Sequence, residues 1–128
     1  MTLPPKLQLE LDELLSASHN IEVSEDPDFI NLVFKSFQLG AGYNATESDL
    51  LLKIPRSYPD AGPDMFWVDP KITLASGQVP QSAEGIETHL GKQWRRFSWH
   101  RQGSPWNPTI DNVQSYIEFI RRRLREIK

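Results

Sequence analysis

The feature that most constrains the fold is a run of three prolines between residues 55 and 64, which read PRSYPDAGPD. A proline has no backbone N–H, so no regular strand ladder continues through Pro55, Pro59 and Pro63. The chain is thereby divided into two parts, and an irregular segment must join the regular elements on either side. This segment also carries the most distinctive dipeptide of the chain, Tyr58-Pro59.

The part before the prolines predicts one helix and three strands. Leucines recur at helical spacing in residues 5–17, which indicates a short amphipathic helix. Residues 21–23 alternate like a strand, and residues 29–39 form a second strand-like run that ends at a glycine-containing turn. Residues 49–54 are nearly all apolar, which predicts a central strand covered on both faces.

The part after the prolines predicts one short strand and a long C-terminal helix. Residues 65–68 are the fourth strand. Residues 71–91 carry scattered glycines and a proline and indicate a long loop, and residues 94–100 are aromatic and basic. The helix that follows is expected to be capped by Thr109 or Asp111. Its apolar stripe consists of Ile110, Val113, Ile117, Ile120, Leu124 and Ile127.

This order of elements predicts an α+β fold. It comprises an N-terminal helix, a four-stranded antiparallel meander, an irregular segment and a C-terminal helix, because a run of strands lies between helices. The 128 residues suffice for one domain with its own apolar core, over residues 1–128.

Composition argues against several classes of function. The net charge of −3 disfavours a nucleic-acid binder. There is no cysteine, and the spacing of His19, His89 and His100 matches no ligand motif, so we expect neither a metal site nor a cofactor. No apolar run approaches the roughly 20 residues that span a bilayer, and the N-terminus lacks the layout of a signal peptide. We therefore expect a soluble, cytoplasmic protein without a membrane partner.

Two motifs, taken in order, connect the chain with a known family. Tyr58-Pro59 with Gly62-Pro63 follows a predicted strand, and Trp106-Asn107-Pro108 leads into the C-terminal helix. This order resembles the ubiquitin-conjugating (UBC) fold over nearly the whole chain. In that family a catalytic cysteine typically lies eight residues before the tryptophan, and a His-Pro-Asn motif follows the strand after the prolines. The matching places here read Ser98 and Asp69-Pro70-Lys71.

The chain is also similar to a bacterial branch of this superfamily, which is encoded beside ubiquitin-like proteins and activating enzymes. Its members show a tryptophan-rich serine–x–histidine stretch where the cysteine would be expected, and residues 94–100 read WRRFSWH here. The chain departs from the wider family in three ways. It has no cysteine, Lys71 stands where an asparagine helps to stabilise the oxyanion, and the segment between Lys71 and Ser98 is longer than usual.

The resemblance implies a carrier whose nucleophile is the Ser98 hydroxyl, acylated as an oxyester by the C-terminus of a ubiquitin-like protein. A serine needs a base to remove its proton, and an oxyester is less reactive toward amines than a thioester. His100 is the nearest candidate base, because in an extended segment its side chain shares a face with Ser98. His89 is the alternative base. Asp69 is the candidate to orient the histidine, and Lys71 or backbone amides are candidates to stabilise the oxyanion.

Other interpretations of Ser98 remain open at this point. Noncatalytic UBC variants act as binding partners, so Ser98 is alternatively an ordinary loop residue of a scaffold that binds a ubiquitin-like protein. In a third interpretation, Ser98 is an engineered replacement of the catalytic cysteine, made in order to trap an adduct. An unrelated binding module that shares only the fold would have no cleft near Ser98.

The resemblance also implies partners. These are a ubiquitin-like protein, an activating enzyme that docks on the N-terminal helix, and a protein substrate. The alternative for that helix is a solvated surface. At the other end of the chain, basic residues crowd the last helical turns, where they complement the helix dipole or, alternatively, form a docking patch for an acidic partner. This basic cluster consists of Arg121, Arg122, Arg123, Arg125 and Lys128.

Overall fold

The computed structural model describes residues 2–101, 103 and 105–128, and within them it has two helices and six strands. In chain order the elements are α1 (Pro5–Ser16), β1 (Ile21–Glu25), β2 (Phe29–Gln38), β3 (Glu47–Pro55), β4 (Phe66–Val68), β5 (Ile86–His89), β6 (Lys92–Phe97) and α2 (Val113–Arg125). The predicted α+β class, with a helix at each end of the chain and an antiparallel sheet between them, is confirmed.

The sheet has six strands rather than the four that the sequence predicts. Its order is β1-β2-β3-β4-β6-β5, and every neighbouring pair is antiparallel. The first four strands form the expected meander. The chain then leaves the sheet after β4 and returns as a hairpin, in which β6 pairs with β4 and β5 forms the outer edge.

The two additional strands lie where the sequence indicates a long loop and an aromatic, basic run. Leu90 and Gly91 join β5 to β6, and their φ angles of 55° and 75° are both positive. Two-residue hairpin turns with positive φ at both positions match the twist of the flanking strands, and Asn-Gly is the usual sequence for them. Leu-Gly lacks that signature, so the hairpin cannot be recognised from local turn chemistry.

Both faces of the sheet are covered at its centre, as predicted for β3. Leu50, Leu51 and Leu52 of β3 are all fully buried. Leu50 and Leu52 belong to the main core, which both helices share with the sheet. Leu51 belongs to a second apolar layer on the opposite face, together with Val33, Trp67 and Trp94. Neither described helix is long and apolar enough to cross a bilayer.

The second helix begins later than the sequence indicates. Asn112, rather than Thr109 or Asp111, is its N-cap: the Asn112 side chain accepts a hydrogen bond from Ser115 N, and the Ser115 hydroxyl accepts one from Asn112 N. The preceding residues form a turn instead, because Asp111 N bonds to the carbonyl of Asn107. Ile110 therefore lies outside the helical stripe and is 73% exposed.

A buried carboxylate ties the two helices to the proline segment. Glu10 of α1 is 6% exposed, and its Oε1 accepts a hydrogen bond from the backbone N–H of Val113, the first residue of α2. The same oxygen accepts a hydrogen bond from the Tyr58 hydroxyl. Burial and the neighbouring Glu10 carboxylate raise the pKa of Tyr58, so its hydroxyl remains a donor. Glu10 thus fixes where α2 starts and where the Tyr58-Pro59 segment lies.

We expect Glu10→Ala to lower the free energy of unfolding by about 2–4 kcal/mol, because two buried donors lose their acceptor. Glu10→Gln keeps an acceptor oxygen and should lose less. Urea denaturation followed by tryptophan fluorescence measures both. The control is Glu13→Ala, an exposed position of the same helix, with an expected change within about 0.5 kcal/mol. Equal losses for Glu10→Ala and Glu13→Ala would contradict this role for Glu10.

Candidate active site

The pairing of β4 with β6 fixes the position of Ser98. Phe97, the last residue of β6, pairs with Phe66, the first residue of β4. Ser98 continues this register and lies beside Met65, with its Oγ 3.8 Å from the Met65 sulfur. Its backbone N–H donates to the carbonyl of Ser82, at 2.8 Å, and its side chain is half-buried. Ser98 therefore sits at a strand end, held by a backbone hydrogen bond to Ser82 and a side-chain contact with Met65.

His100 lies two residues further along and contacts the residue before Met65. Its Nδ1 is 2.7 Å from Oδ1 of Asp64, and both side chains are largely exposed. Ser98 contacts Met65 while His100 contacts Asp64, so the two side chains share the same neighbouring segment. In between, Trp99 packs against the main core. These contacts agree with the expected shared side for Ser98 and His100, although Trp99 and His100 also line one cavity together.

Asp64 is a residue that the sequence analysis missed. A carboxylate that accepts a hydrogen bond from Nδ1 of a histidine fixes the ring orientation and leaves Nε2 free for proton transfer. The sequence offers one signal in hindsight: Asp64 closes the proline segment directly before β4, and antiparallel pairing of β4 with β6 brings that end to Ser98.

The structure does not join Ser98 to His100 by a hydrogen bond. Among the hydrogen bonds of the described residues, the only partner of the Ser98 hydroxyl is the Met65 sulfur, which is a weak acceptor. In enzymes without substrate, catalytic hydrogen bonds are often long and tighten when the reactants bind. The arrangement therefore provides an oriented histidine two residues along the chain from a hydroxyl, but no nucleophile–base bond among the described residues.

The backbone beside Ser98 is held in an unusual conformation. Met65 has a φ of 61°, in the left-handed region that side chains rarely adopt. Its N–H donates to Asp64 Oδ1, and its carbonyl accepts a hydrogen bond from the Tyr116 hydroxyl of α2, at 2.8 Å. Burial and the Asp64 charge raise the pKa of Tyr116, which keeps this donor protonated. Conformations of this kind cluster at functional sites, where surrounding contacts maintain them.

Asp69 and Lys71 are not brought to Ser98. They follow the far end of β4, so Asp69 is four residues beyond Met65, a distance of about 13 Å along an extended chain. Asp69 Oδ1 accepts a hydrogen bond from Lys71 N, and the Lys71 carbonyl accepts one from Asn44. Neither residue contacts His100 among the described hydrogen bonds and ion pairs. The two therefore form a local turn, because antiparallel pairing separates the two ends of β4.

His89, the alternative base, lies in β5 and is engaged elsewhere. Its Nε2 is 3.0 Å from Oε1 of Glu87, and its ring packs edge-on against Trp67. Glu87 also accepts hydrogen bonds from Trp67 and Arg96. The hydrogen bond from His89 holds the pKa of Glu87 below its usual range, with Trp67 and Arg96 acting in the same direction. His89 pairs with Lys92 at the start of β6, whereas Ser98 follows the end of that strand, so we favour His100 as the base.

An apolar cavity of about 360 Å³ lies next to the Asp64–Met65 segment. It opens between the start of β2, the proline segment and β5, and both Asp64 and Met65 line it. Its remaining walls are Phe29, Lys53, Pro55, Gly62, Trp67 and His89. The described residues contain no group of three or more histidines and carboxylates that could hold a metal ion.

The two sequence motifs meet in space. The Trp106 indole N–H donates to the carbonyl of Pro59, at 2.7 Å, and the rings of Trp106 and Tyr58 lie 5.7 Å apart. Gly62 lies directly under the indole ring, so that a methyl group at this position would overlap it. The proline segment and the entry to α2 thus form one packed unit, from which Asp64 reaches His100.

Comparison with known proteins places this architecture in a family. The model of prokaryotic E2 family E matches residues 8–127. The chain belongs to this family. Comparison with curated proteins and with solved structures gives no match. Membership in prokaryotic E2 family E accounts for the E2-like order of helix, sheet and helix, and it implies interaction with ubiquitin-like proteins and activating enzymes.

We expect Gly62→Ala to lower the free energy of unfolding by about 1–3 kcal/mol, because the added methyl group must displace the Trp106 ring. The test is a double-mutant cycle with Trp106→Ala, measured by urea denaturation with circular dichroism as the readout. In the Trp106→Ala background the alanine at position 62 should cost little. An unchanged cost there would show that the glycine serves its own backbone rather than the packing of Trp106.

Proposed function

We propose that this E2-family protein carries a ubiquitin-like protein as an oxyester on Ser98, with His100 as the base and Asp64 as the residue that orients it. The observation that carries this proposal is the 2.7 Å contact between Asp64 Oδ1 and His100 Nδ1, which lies beside Ser98 on the same strand end. Asp64 takes the role that the sequence assigns to Asp69. Lys71 has no part in it.

The loading step exchanges one acyl bond for another. The Ser98 oxygen attacks the carbonyl carbon of the modifier's C-terminal residue, which the activating enzyme presents as a thioester. The carbon–sulfur bond breaks, and the sulfur takes up the proton that His100 Nε2 removed from the hydroxyl. An amine then attacks the oxyester, forms an amide and returns the proton to the Ser98 oxygen. No oxidant or metal is needed for this balance.

The histidine is required because a hydroxyl is a far weaker nucleophile than a thiolate at neutral pH. A positioned general base contributes a factor of about 10² to 10⁴ to such a step. The Asp64–His100 pair is exposed, so its interaction in the free protein is weak. A modifier bound over it would exclude water and strengthen the pair at the moment it is needed.

The surroundings of Ser98 offer places for the modifier and the activating enzyme. The apolar cavity beside Asp64 and Met65 can receive an extended peptide tail close to the Ser98 hydroxyl. On the outside of the molecule, Leu9 and Leu15 of α1 are 65% and 49% exposed. We propose this outer face of α1 as the docking surface for the activating enzyme.

A second candidate function is a noncatalytic scaffold that binds the ubiquitin-like protein. It is favoured by the absence of a Ser98–His100 hydrogen bond among the described residues. The Ser98 N–H is moreover occupied by the carbonyl of Ser82, so it cannot also bind an oxyanion. In a scaffold the same surfaces bind partners, and no acyl bond forms.

An acylation assay separates the two functions. The protein is mixed with its cognate activating enzyme, ubiquitin-like protein and ATP, and intact mass is measured under denaturing conditions. We expect an adduct that resists thiols, is cleaved by base, and is absent from Ser98→Ala. Ser98→Cys should give an adduct that thiols cleave. His100→Ala should slow loading by about 10² or more, since the general base is lost, and Asp64→Asn should slow it less.

The matched control is Ser57→Ala, which removes an exposed hydroxyl from the proline segment and should load like the wild type. A wild-type protein that binds the ubiquitin-like protein but forms no adduct is a scaffold. An adduct that survives Ser98→Ala would assign the nucleophile to another residue.

A further inference from the structure

A second cavity, of about 340 Å³, is lined in part by His100 and is strongly basic. It opens between the chain segment after β6 and the last turns of α2. Its lining residues are Trp99, His100, Arg101, Phe119, Arg122, Arg123 and Glu126. His100 is therefore shared between this basic cavity and the candidate active site.

Basic side chains outnumber acidic ones in the lining of this cavity. Arg101 is paired, because its Nη1 lies 2.8 Å from Oδ2 of Asp111. Arg122 and Arg123 form no ion pair with any described carboxylate, and Glu126 is the one acidic residue in the lining. Two arginines thus face a single carboxylate beside them, in a chain whose net charge is −3.

Of Arg122 and Arg123, Arg123 indicates more about the cavity because it is buried. It is 1% exposed, and its guanidinium lies over the ring of Trp99 at 4.6 Å and over that of Phe97 at 5.2 Å. Its Nη2 donates to the backbone oxygens of Gln81 and of Lys128, the last residue of the sequence. Its Nε and Nη1 have no hydrogen-bond partner among the described atoms. The Glu126 carboxylate acts on this cation, but two buried guanidinium nitrogens without a partner remain costly and favour a further anion in the adjoining cavity.

The helix dipole alone does not account for this arrangement. Cations near a helix C-terminus complement about half a negative charge, and exposed side chains suffice for that. Arg125 meets this need: it is exposed and lies outside the cavity. Arg123 instead packs against the ring of Trp99, and Arg122 lines the cavity together with His100. The positive charge is therefore concentrated at the site and exceeds what the end of α2 requires.

We propose that this basic cavity binds an acidic segment of the acceptor protein, so that aspartate or glutamate side chains next to the target amine direct it to the acyl group on Ser98. This inference rests on the proposed carrier function, because it assigns the substrate class of the same site. Carboxylates fit the guanidinium of Arg122, and the aromatic rings of Trp99 and Phe119 provide a wall for the peptide backbone. Binding should weaken as salt is added.

The test is a binding titration that needs no acylation. Acetylated hexaglutamate is titrated into the ¹⁵N-labelled protein, and the Trp99 indole N–H and the amides of residues 119–126 are followed by NMR. We expect saturable shifts with hexaglutamate and none with hexaglutamine. Arg122→Ser should weaken binding by about fivefold, the effect of losing one charged contact. Arg125→Ser, which removes the same charge one turn away, should weaken it by less than about twofold.

Three results would overturn the inference. If hexaglutamine bound as tightly as hexaglutamate, the cavity would be a peptide groove that does not recognise charge. If Arg122→Ser and Arg125→Ser weakened hexaglutamate binding equally, the peptide would be attracted only by the general positive charge at the end of α2. Inorganic phosphate that displaces hexaglutamate at equal concentration would show a phosphate site instead. Because no modifier is present, failure of this titration leaves the Ser98 oxyester untouched. Failure of the acylation assay likewise leaves the binding result standing.

Discussion

The buried carboxylate of Glu10 is the interaction on which the position of the site depends. It places a negative charge at the N-terminus of α2, where free backbone N–H groups and the helix dipole favour an anion. The same oxygen holds the Tyr58 hydroxyl. Burying a carboxylate is costly unless hydrogen bonds replace its water; these two donors do so for Oε1, while Oε2 has no partner among the described atoms. One side chain of α1 therefore sets the relation between the proline segment and α2.

The positions of the candidate active-site residues follow from that relation. From Tyr58 the proline segment runs to Asp64 and Met65, while α2 provides Tyr116, which holds the Met65 carbonyl. The β4–β6 pairing then brings Ser98 and His100 to the same two residues. The contacts that fix Asp64 thus come from three distant parts of the chain. A hydroxyl carrier needs this support more than a thiol carrier does, because its base has to be oriented.

Local sequence patterns predict the elements whose formation depends on residues that are close together in the chain. The leucine spacing gives α1, and the apolar run 49–54 gives a buried central strand, because burial periodicity is a direct consequence of element geometry. The β5–β6 hairpin is missed because Leu90-Gly91 is not a usual turn sequence. Asn112 is missed as the cap because the turn from Asn107 to Asp111 competes for the residues before the helix.

The candidate site is predictable only in part, for the same reason. Ser98 and His100 are neighbours in sequence, so alternation along an extended segment suffices to place them on one face. Asp64 comes from another segment, and finding it requires the register between β4 and β6. Without that register, Asp69 and Lys71 look equally close, although they lie at the other end of β4. Tertiary pairing, rather than side-chain chemistry, decides which carboxylate meets His100.

If Asp64 orients His100, the hydrogen must sit on Nδ1 of the imidazole, so the protonation of the two ring nitrogens is the decisive measurement. Long-range ¹H–¹⁵N NMR spectra of the His100 ring are recorded at pH about 8, where an ordinary histidine is neutral. We expect the form with hydrogen on Nδ1 and a bare Nε2, and we expect Asp64→Asn to weaken this preference. Hydrogen on Nε2 in the wild-type protein, unchanged by Asp64→Asn, would contradict the orientation of His100 by Asp64.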